Sequence, residues 1–279
     1  MDTNRVELFS KHLARVISIC KKYDFDPMIW SDMYFRLNSK NGGYYREEPL
    51  PESTLKMIPE NIKLVYWDYY NTDQAVYDRM NKYHKQTNRE VIFAGGSWRW
   101  KGYTPAIGAS FKTSIPAIKS AVENEIKFVI VTAWGDNGDE SSIMNTLPIM
   151  CLYSTADYFQ SYDDEKVNSL LKAVTEENLT DMLMMDLPDM PGKKALYPAY
   201  NPSKYFLFQD PMNGLFDYYV KKDYASNYLE YAKNLFALSK KSQHFGYVYD
   251  TLAKLCDALS MKVDLGVKLR KAYKENKGL

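Results

Sequence analysis

The stretch that decides the fold class runs from Lys127 to Trp134 and has the sequence KFVIVTAW. A short apolar run rich in β-branched residues is typical of a strand that is buried on both faces of a parallel sheet. Three earlier stretches share this pattern, and a segment with helical spacing of apolar residues follows each of them. These stretches are residues 27–35 (PMIWSDMYF), 62–70 (IKLVYWDYY) and 90–98 (EVIFAGGSW). The sequence therefore predicts four strand-and-helix units in succession.

Strands that alternate with helices predict βαβ units and a parallel sheet. A doubly wound sheet would show the same alternation, but the sequence contains neither the G-x-G-x-x-G nor the Walker pattern. The length of the units is that of a TIM barrel, which closes with eight strands. We predict half of a TIM (β/α)8 barrel, with four βα units, in residues 1–160. The apolar spacing of residues 161–279 predicts an all-helical domain.

The tryptophans of the chain all lie at or just beyond the carboxyl ends of the four predicted strands. They are Trp30, Trp67, Trp98, Trp100 and Trp134. The loops at these ends build the active face of a (β/α) barrel, and flat aromatic side chains suit the apolar face of a sugar ring. The alternative is that the indole rings only fill the mouth of the barrel. For Trp100, the neighbouring Arg99 indicates an exposed loop.

Carboxylates stand among these tryptophans. Asp32 lies two residues after Trp30, Asp68 directly follows Trp67, and Asp136 lies two residues after Trp134. Carboxylates beside an aromatic surface can hold sugar hydroxyls through charge-assisted hydrogen bonds. The alternative is that they are acids of surface loops or helix caps. Capping is the favoured interpretation for two further acids at the start of the next helix, Asp139 and Glu140.

Four motifs in succession resemble the last four strand ends of family 20 glycoside hydrolases. They are Trp30-Ser31-Asp32-Met33, Tyr66-Trp67-Asp68-Tyr69-Tyr70, Gly95-Gly96-Ser97-Trp98 and Thr132-Ala133-Trp134-Gly135-Asp136-Asn137-Gly138. The sequence is most similar to the bacterial β-N-acetylhexosaminidases that carry a helical C-terminal domain. The resemblance implies that residues 1–160 supply strands 5 to 8 of the catalytic barrel, its C-terminal half. It also implies a glycan substrate that contains an N-acetylhexosamine, either GlcNAc or GalNAc.

The resemblance assigns roles to individual residues. Trp30, Trp98 and Trp134 correspond to the aromatic pocket around the N-acetylated sugar. Tyr66 corresponds to the residue that hydrogen-bonds the substrate acetamide, and Asp68 to one that holds sugar hydroxyls. Residues two apart on a strand share a face, as this joint role requires. We expect Asp32, Trp67 and Asp136 to complete the set of substrate-binding residues; at the position of Asp136 many relatives carry Glu.

The family's catalytic pair is missing from the sequence. Family 20 enzymes retain configuration because the substrate's own acetamide attacks the anomeric carbon, while an Asp-Glu pair at the end of strand four orients the acetamide and protonates the leaving group. No Asp-Glu pair precedes Trp30. We therefore expect the chain alone to be inactive. Two alternatives stay open: a non-catalytic sugar-binding or assembly fragment, and another barrel glycosidase that uses Asp32 or Asp68.

The composition of the chain limits the kinds of partner that we expect it to bind. The net charge of +1 gives no reason to expect nucleic acid or an anionic membrane, and no apolar run approaches the ~18 residues of a membrane span. The three cysteines and three histidines have no metal-ligand spacing, so neither a metal nor a cofactor is expected. The polar N-terminus lacks a signal-peptide core, which predicts a cytoplasmic protein. The expected protein partner is an upstream half-barrel chain or a second copy of this one.

Overall fold

The computed structural model describes residues 4–45, 47–194 and 201–275. The chain divides into two compact units. The first consists of Met1–Gly96 and Thr113–Thr132, and the second of Ser97–Lys112 and Ala133–Leu279. These units are defined by contacts within the chain. The predicted boundary at residue 160, between a half-barrel and a helical domain, stays a prediction.

The first unit contains a four-stranded sheet. Its strands are β1 (Met28–Trp30), β2 (Lys63–Trp67), β3 (Val91–Gly96) and β4 (Phe128–Thr132), paired in the order β1-β2-β3-β4. All three pairings are parallel, with Ile29 opposite Leu64, Val65 opposite Ile92 and Phe93 opposite Val129. The α/β class and the four parallel strands of the prediction are therefore confirmed.

One helix precedes these strands, and further helices lie between them in the sequence. They are α1 (Arg5–Lys22), α2 (Asp32–Leu37), α3 (Glu52–Leu55), α4 (Gln74–Lys85) and α5 (Ile107–Glu123), of which α5 contributes its part from Thr113 onward to this unit. Side chains cap two of the helices: Asn4 accepts from the first backbone N–H groups of α1, and Asp73 does the same for α4. Val65, Ile92 and Ala94 form the buried centre of the sheet, against which Trp67 and Ile130 pack.

The stretch 27–35 differs from its simple strand pattern. The strand ends at Trp30, and residues 32–37 form helix α2 instead. Tyr34 and Phe35 are fully buried from this helix. Tyr34 packs edge-on against Phe9 of α1, and Phe35 packs against Tyr45 and His84.

The second unit is largely helical after its first loops. Its helices are α6 (Leu147–Phe159), α7 (Asp164–Thr175), α8 (Leu179–Leu183), α9 (Pro202–Phe208), α10 (Tyr224–Lys241), α11 (Gly246–Lys262) and α12 (Leu265–Lys274). The helices α10 and α11 pack against each other over their length, and they bury Tyr228, Leu235, Tyr249 and Leu252. A screen of the described segments for membrane spans identified no helix with the length and hydropathy to cross a bilayer.

Candidate functional site

Trp30 and Asp32 lie where β1 ends. The indole of Trp30 is 39% exposed, whereas Asp32, the first residue of α2, is buried. The Asp32 carboxylate accepts a hydrogen bond from the indole nitrogen of Trp67, at 2.8 Å. Its place in the first turn of a helix also suits its negative charge. The structure therefore links the predicted residues Asp32 and Trp67, which come from neighbouring strand ends.

Asp68 organises the turn that follows β2. Its Oδ1 atom accepts from the backbone N–H groups of Tyr70 at 2.9 Å and Asn71 at 3.1 Å. Its Oδ2 atom accepts from the Tyr66 hydroxyl at 3.2 Å and from the Asn71 side-chain amide at 2.5 Å. A carboxylate offers about four acceptor positions, and Asp68 uses them within its own turn. A sugar hydroxyl would have to replace one of these donors, so the predicted role of Asp68 stays a prediction.

Tyr66 lies wholly inside the first unit. Its ring stacks on His84 with centroids 4.9 Å apart and meets Tyr45 and Phe93 edge-on. Burial, followed by the charge of Asp68, raises the pKa of the phenol well above its usual range. Tyr66 is therefore a neutral hydrogen-bond donor committed to Asp68. Its predicted contact with an acetamide requires this hydroxyl to change partner, and the role stays a prediction.

His84, on which the Tyr66 ring stacks, is held by two hydrogen bonds. The Nδ1 atom of His84 lies 2.7 Å from the Met80 carbonyl, and its Nε2 atom lies 2.7 Å from the Ser31 hydroxyl. A carbonyl only accepts, so Nδ1 carries the proton and Nε2 accepts from Ser31. Burial lowers the pKa of His84 to about 4, and the ring is neutral at neutral pH. Both residues are fully buried, so neither is open to solvent in this structure.

Two tyrosines near Trp67 were not singled out from the sequence. The exposed ring of Tyr44 lies 5.1 Å from the Trp67 ring, and the Tyr45 hydroxyl accepts from the Trp67 backbone N–H at 3.1 Å. Both belong to the irregular segment between α2 and α3, far in the sequence from the Trp67 strand end. The only sequence signal was the adjacent pair of aromatic residues, which does not reveal the strand that it contacts.

In the second unit, Trp98 and Trp100 are packed against each other. Their rings stack with centroids 4.5 Å apart and an interplanar angle of 24°, and they are only 2% and 5% exposed. The expectation that Trp100 lies in an exposed loop beside Arg99 is wrong. Arg99 is itself buried, because its guanidinium finds carbonyl and carboxylate partners inside the unit. Trp98 has no open face in this conformation, and its sugar contact stays a prediction.

Trp134 and Asp136 lie on the loop that follows β4. Trp134 is 38% exposed, and Asp136 is an exposed residue at the start of a 3₁₀ turn, Asp136–Gly138. Asp139 forms an ion pair with Arg99, and Glu140 pairs with Lys204. The prediction that Asp139 and Glu140 cap the following helical turn is wrong, because Ser142 provides that cap. The full positive charge of a nearby cation attracts each acid more strongly than the partial charge of a helix end does.

No metal centre is evident in the described ranges: no group of three or more His, Cys, Asp or Glu side chains there could hold an ion. Cys151 and Cys256 are buried free thiols, and Cys20 is a free thiol that is partly exposed. Burial raises the pKa of Cys151 to about 11, so its thiol is protonated and unreactive at neutral pH.

Comparison with known protein families found a match in the C-terminal region. Residues 180–278 match the family described as Glycoside Hydrolase 20C C-terminal domain. This match confirms the resemblance to family 20 for the helical region from α8 to α12. The four strands lie outside the matched residues. A search of curated proteins found no match to the chain.

Proposed function

We propose that the chain is the sugar-binding half of an exo-acting β-N-acetylhexosaminidase, which removes terminal β-linked GlcNAc or GalNAc. The observation that carries the proposal is a parallel sheet with tryptophans at or just beyond the carboxyl ends of its strands. The same chain matches the family 20 C-terminal domain over residues 180–278. Trp30 and Trp134 keep more than a third of their surface open to solvent. Exposed indole rings at such positions are suited to stack on a sugar.

The sheet supports the proposal that it is half of a barrel. In the described sheet β1 and β4 each pair on one side only, and a closed barrel leaves no such edge. The edge strands expose apolar side chains, among them Met28 at 43% and Phe128 at 49%. Four further strands would pair with both edges and cover these side chains. In the proposal, an upstream half-barrel chain or a second copy supplies them.

The proposed reaction divides the work between this chain and its partner. The acetamide oxygen of the substrate attacks the anomeric carbon, and a Glu of the missing half protonates the leaving oxygen. Tyr66 hydrogen-bonds the acetamide, Asp68 and Asp32 hold hydroxyls, and the tryptophans exclude water from the sugar face. Loss of the general acid removes a factor of roughly 10²–10⁴ in rate. The isolated chain is therefore expected to bind sugar without cleaving it.

The test is release of p-nitrophenol from the β-GlcNAc and β-GalNAc glycosides by the purified chain, alone and mixed with an upstream fragment that contains the Asp-Glu pair. We expect no release by the chain alone and release on mixing. Tyr66→Phe in the mixture should lower kcat more than it raises KM, because the lost hydrogen bond acts on the attacking acetamide. The surface change Tyr158→Phe is the matched control and should leave both constants unchanged.

Two results would redirect the proposal. Release by the chain alone, abolished by Asp32→Asn or Asp68→Asn, would identify another carboxylate as the acid and a different barrel glycosidase. Binding of N-acetylglucosamine without release in any mixture would favour the non-catalytic alternative. The observation that favours this second candidate, a non-catalytic sugar-binding chain, is the absence of an Asp-Glu pair before Trp30.

A further inference from the structure

The loop that carries Trp134 has an unusual backbone. Three consecutive residues have positive φ: Asn137 at 58°, Gly138 at 113° and Asp139 at 56°. Residues with side chains seldom adopt this region unless their surroundings hold them there. Asn137 and Asp139 carry side chains, and contacts from residues outside the loop reach both of them.

Arg99 supplies such contacts from one side. Its guanidinium donates to the carbonyl of Trp134 at 3.3 Å and to the carbonyl of Ser141, at 3.1 Å from Nε and again from Nη2. It also forms an ion pair with Asp139. Trp134 and Ser141 are the two ends of the loop, and Asp139 is one of its residues with positive φ. One buried side chain therefore joins both ends of the loop and its middle.

Lys204 supplies the second set of contacts. This residue of α9 donates from Nζ to the carbonyl of Asn137 at 2.7 Å and pairs with the Glu140 carboxylate at 2.5 Å. Asn137 is the first of the residues with positive φ. Lys204 belongs to the residues that match the family 20 C-terminal domain, so the helical domain itself contacts the tryptophan loop within the second unit.

We propose that Arg99 and Lys204 are positioning residues that clamp the loop from Trp134 to Ser141 and thereby fix the indole of Trp134 for sugar binding. The mechanical part of the clamp is that the two residues hold the loop, and it follows from the contacts alone. The purpose of the clamp, which is sugar binding by Trp134, rests on the proposed function. The planar guanidinium presents donors in several fixed directions, and a lysine at position 99 could not reach both ends of the loop. Lys204 acts through charge and a single carbonyl, so its loss should have the smaller effect.

The mechanical part is tested by fluorine NMR of protein labelled with 5-fluorotryptophan, in which Trp134→Phe assigns the Trp134 resonance. Arg99→Lys should broaden and shift that resonance, and Lys204→Met should do so less. Asp139→Asn is the milder variant, since asparagine tolerates positive φ and only the ion pair is lost. It keeps the test valid if Arg99→Lys fails to fold.

Two matched controls come from the same chain. Arg89 donates to the backbone carbonyls of Pro59 and Ile58 in the first unit, so Arg89→Lys alters the same chemistry elsewhere. Lys241 pairs with Asp181 at 2.6 Å in the helical region, so Lys241→Met removes a comparable lysine. Neither control should move the Trp134 resonance. An unchanged resonance in both Arg99→Lys and Asp139→Asn would overturn the proposal.

Titration with N-acetylglucosamine tests the purpose of the clamp. The sugar should shift the Trp134 resonance of the parent chain, and Arg99→Lys should weaken binding by roughly tenfold, the value of one or two lost hydrogen bonds. If the parent resonance does not respond to sugar but Arg99→Lys still broadens it, the clamp is supported and the proposed function fails. If sugar binds the parent and Arg99→Lys equally well, the positioning role in sugar binding is overturned.

Discussion

At the scale of single residues, His84 is an ionisable group that the fold keeps neutral. Its pKa is about 4 in the folded chain because of burial, against about 6.5 in the unfolded chain. Between these values the unfolded state binds more protons, so the free energy of unfolding rises with pH in this window. Stability from the neutral ring is therefore lost as pH falls from about 6.5 to about 4.

We predict that this contribution amounts to at most about 3 kcal/mol. Urea unfolding at a series of pH values should show a less steep loss of stability toward low pH in His84→Gln than in the parent. The exposed His12 provides the control, and His12→Gln should keep the parent slope. Parallel curves for His84→Gln and the parent would show that the buried ring does not couple to stability.

Asp186 has the opposite effect to His84 on the pH dependence of stability, over nearly the same pH range. Desolvation raises its pKa to about 7, although its carboxylate accepts from the backbone N–H groups of Ile107 and Gly108, each at 2.8 Å. For a carboxyl with a raised pKa the folded state holds the extra proton, so stability falls as pH rises from about 4 to about 7. The comparison with His84→Gln is needed for this reason, since the slope of the parent chain alone mixes both groups.

At the scale of elements, the close approach of α10 and α11 depends on a glycine. A Cβ atom at Gly246 would lie 2.5 Å from the backbone carbonyl oxygen of Ser239. Backbone of a packed helix cannot shift as a flexible side chain can, so we predict that Gly246→Ala lowers the free energy of unfolding by about 1–3 kcal/mol.

Chemical denaturation checks this prediction, with Gly192→Ala as the control. At Gly192 the nearest side-chain atom to a new Cβ would be a Tyr224 carbon at 3.7 Å, which is ordinary contact. Gly192→Ala should therefore leave stability nearly unchanged. Equal effects of the two substitutions would show that the helix pair tolerates a wider separation.

The elements that could be predicted from the sequence are those with a strong local pattern. Each of these patterns predicts a single type of element. They are the apolar runs at β2, β3 and β4 and the helical spacing of α10 and α11, and the structure contains all five elements. Position 99 shows where local patterns fail. An arginine indicates exposure unless its partners are known, and those partners, Ser141 and Asp139, lie about forty residues further along.

The same limit applies to the candidate site. Trp30 and Trp134 could be assigned to strand ends from their own surroundings, and they keep exposed surface there. The sequence could not reveal that Asp68 uses its acceptor positions within its own turn, because that depends on how the chain folds back at Asn71. Nor could it reveal that Trp98 stacks on Trp100, since side-chain packing two residues apart depends on the loop conformation.

At the scale of the whole molecule, the proposal predicts that the exposed edge of the sheet is needed for reconstitution. Phe128 lies on β4 and is nearly half exposed. A lysine there would bury a charge in the continued sheet, so Phe128→Lys should abolish activity on mixing with the upstream fragment. Tyr158→Lys, at an exposed position of α6, should retain it. Full activity of Phe128→Lys would exclude β4 as the joining edge.

The strand order β1-β2-β3-β4 has a consequence for symmetry. The two edges of the sheet are unlike, so a copy that continues the sheet with all strands parallel, as in the proposed barrel, joins its β1 edge to the β4 edge of its neighbour. Such head-to-tail contacts are heterologous, and they either close into a ring or extend as a filament. A ring of eight strands requires only two copies. The twist between successive strands would then decide whether a concentrated solution of this chain contains discrete particles or fibres.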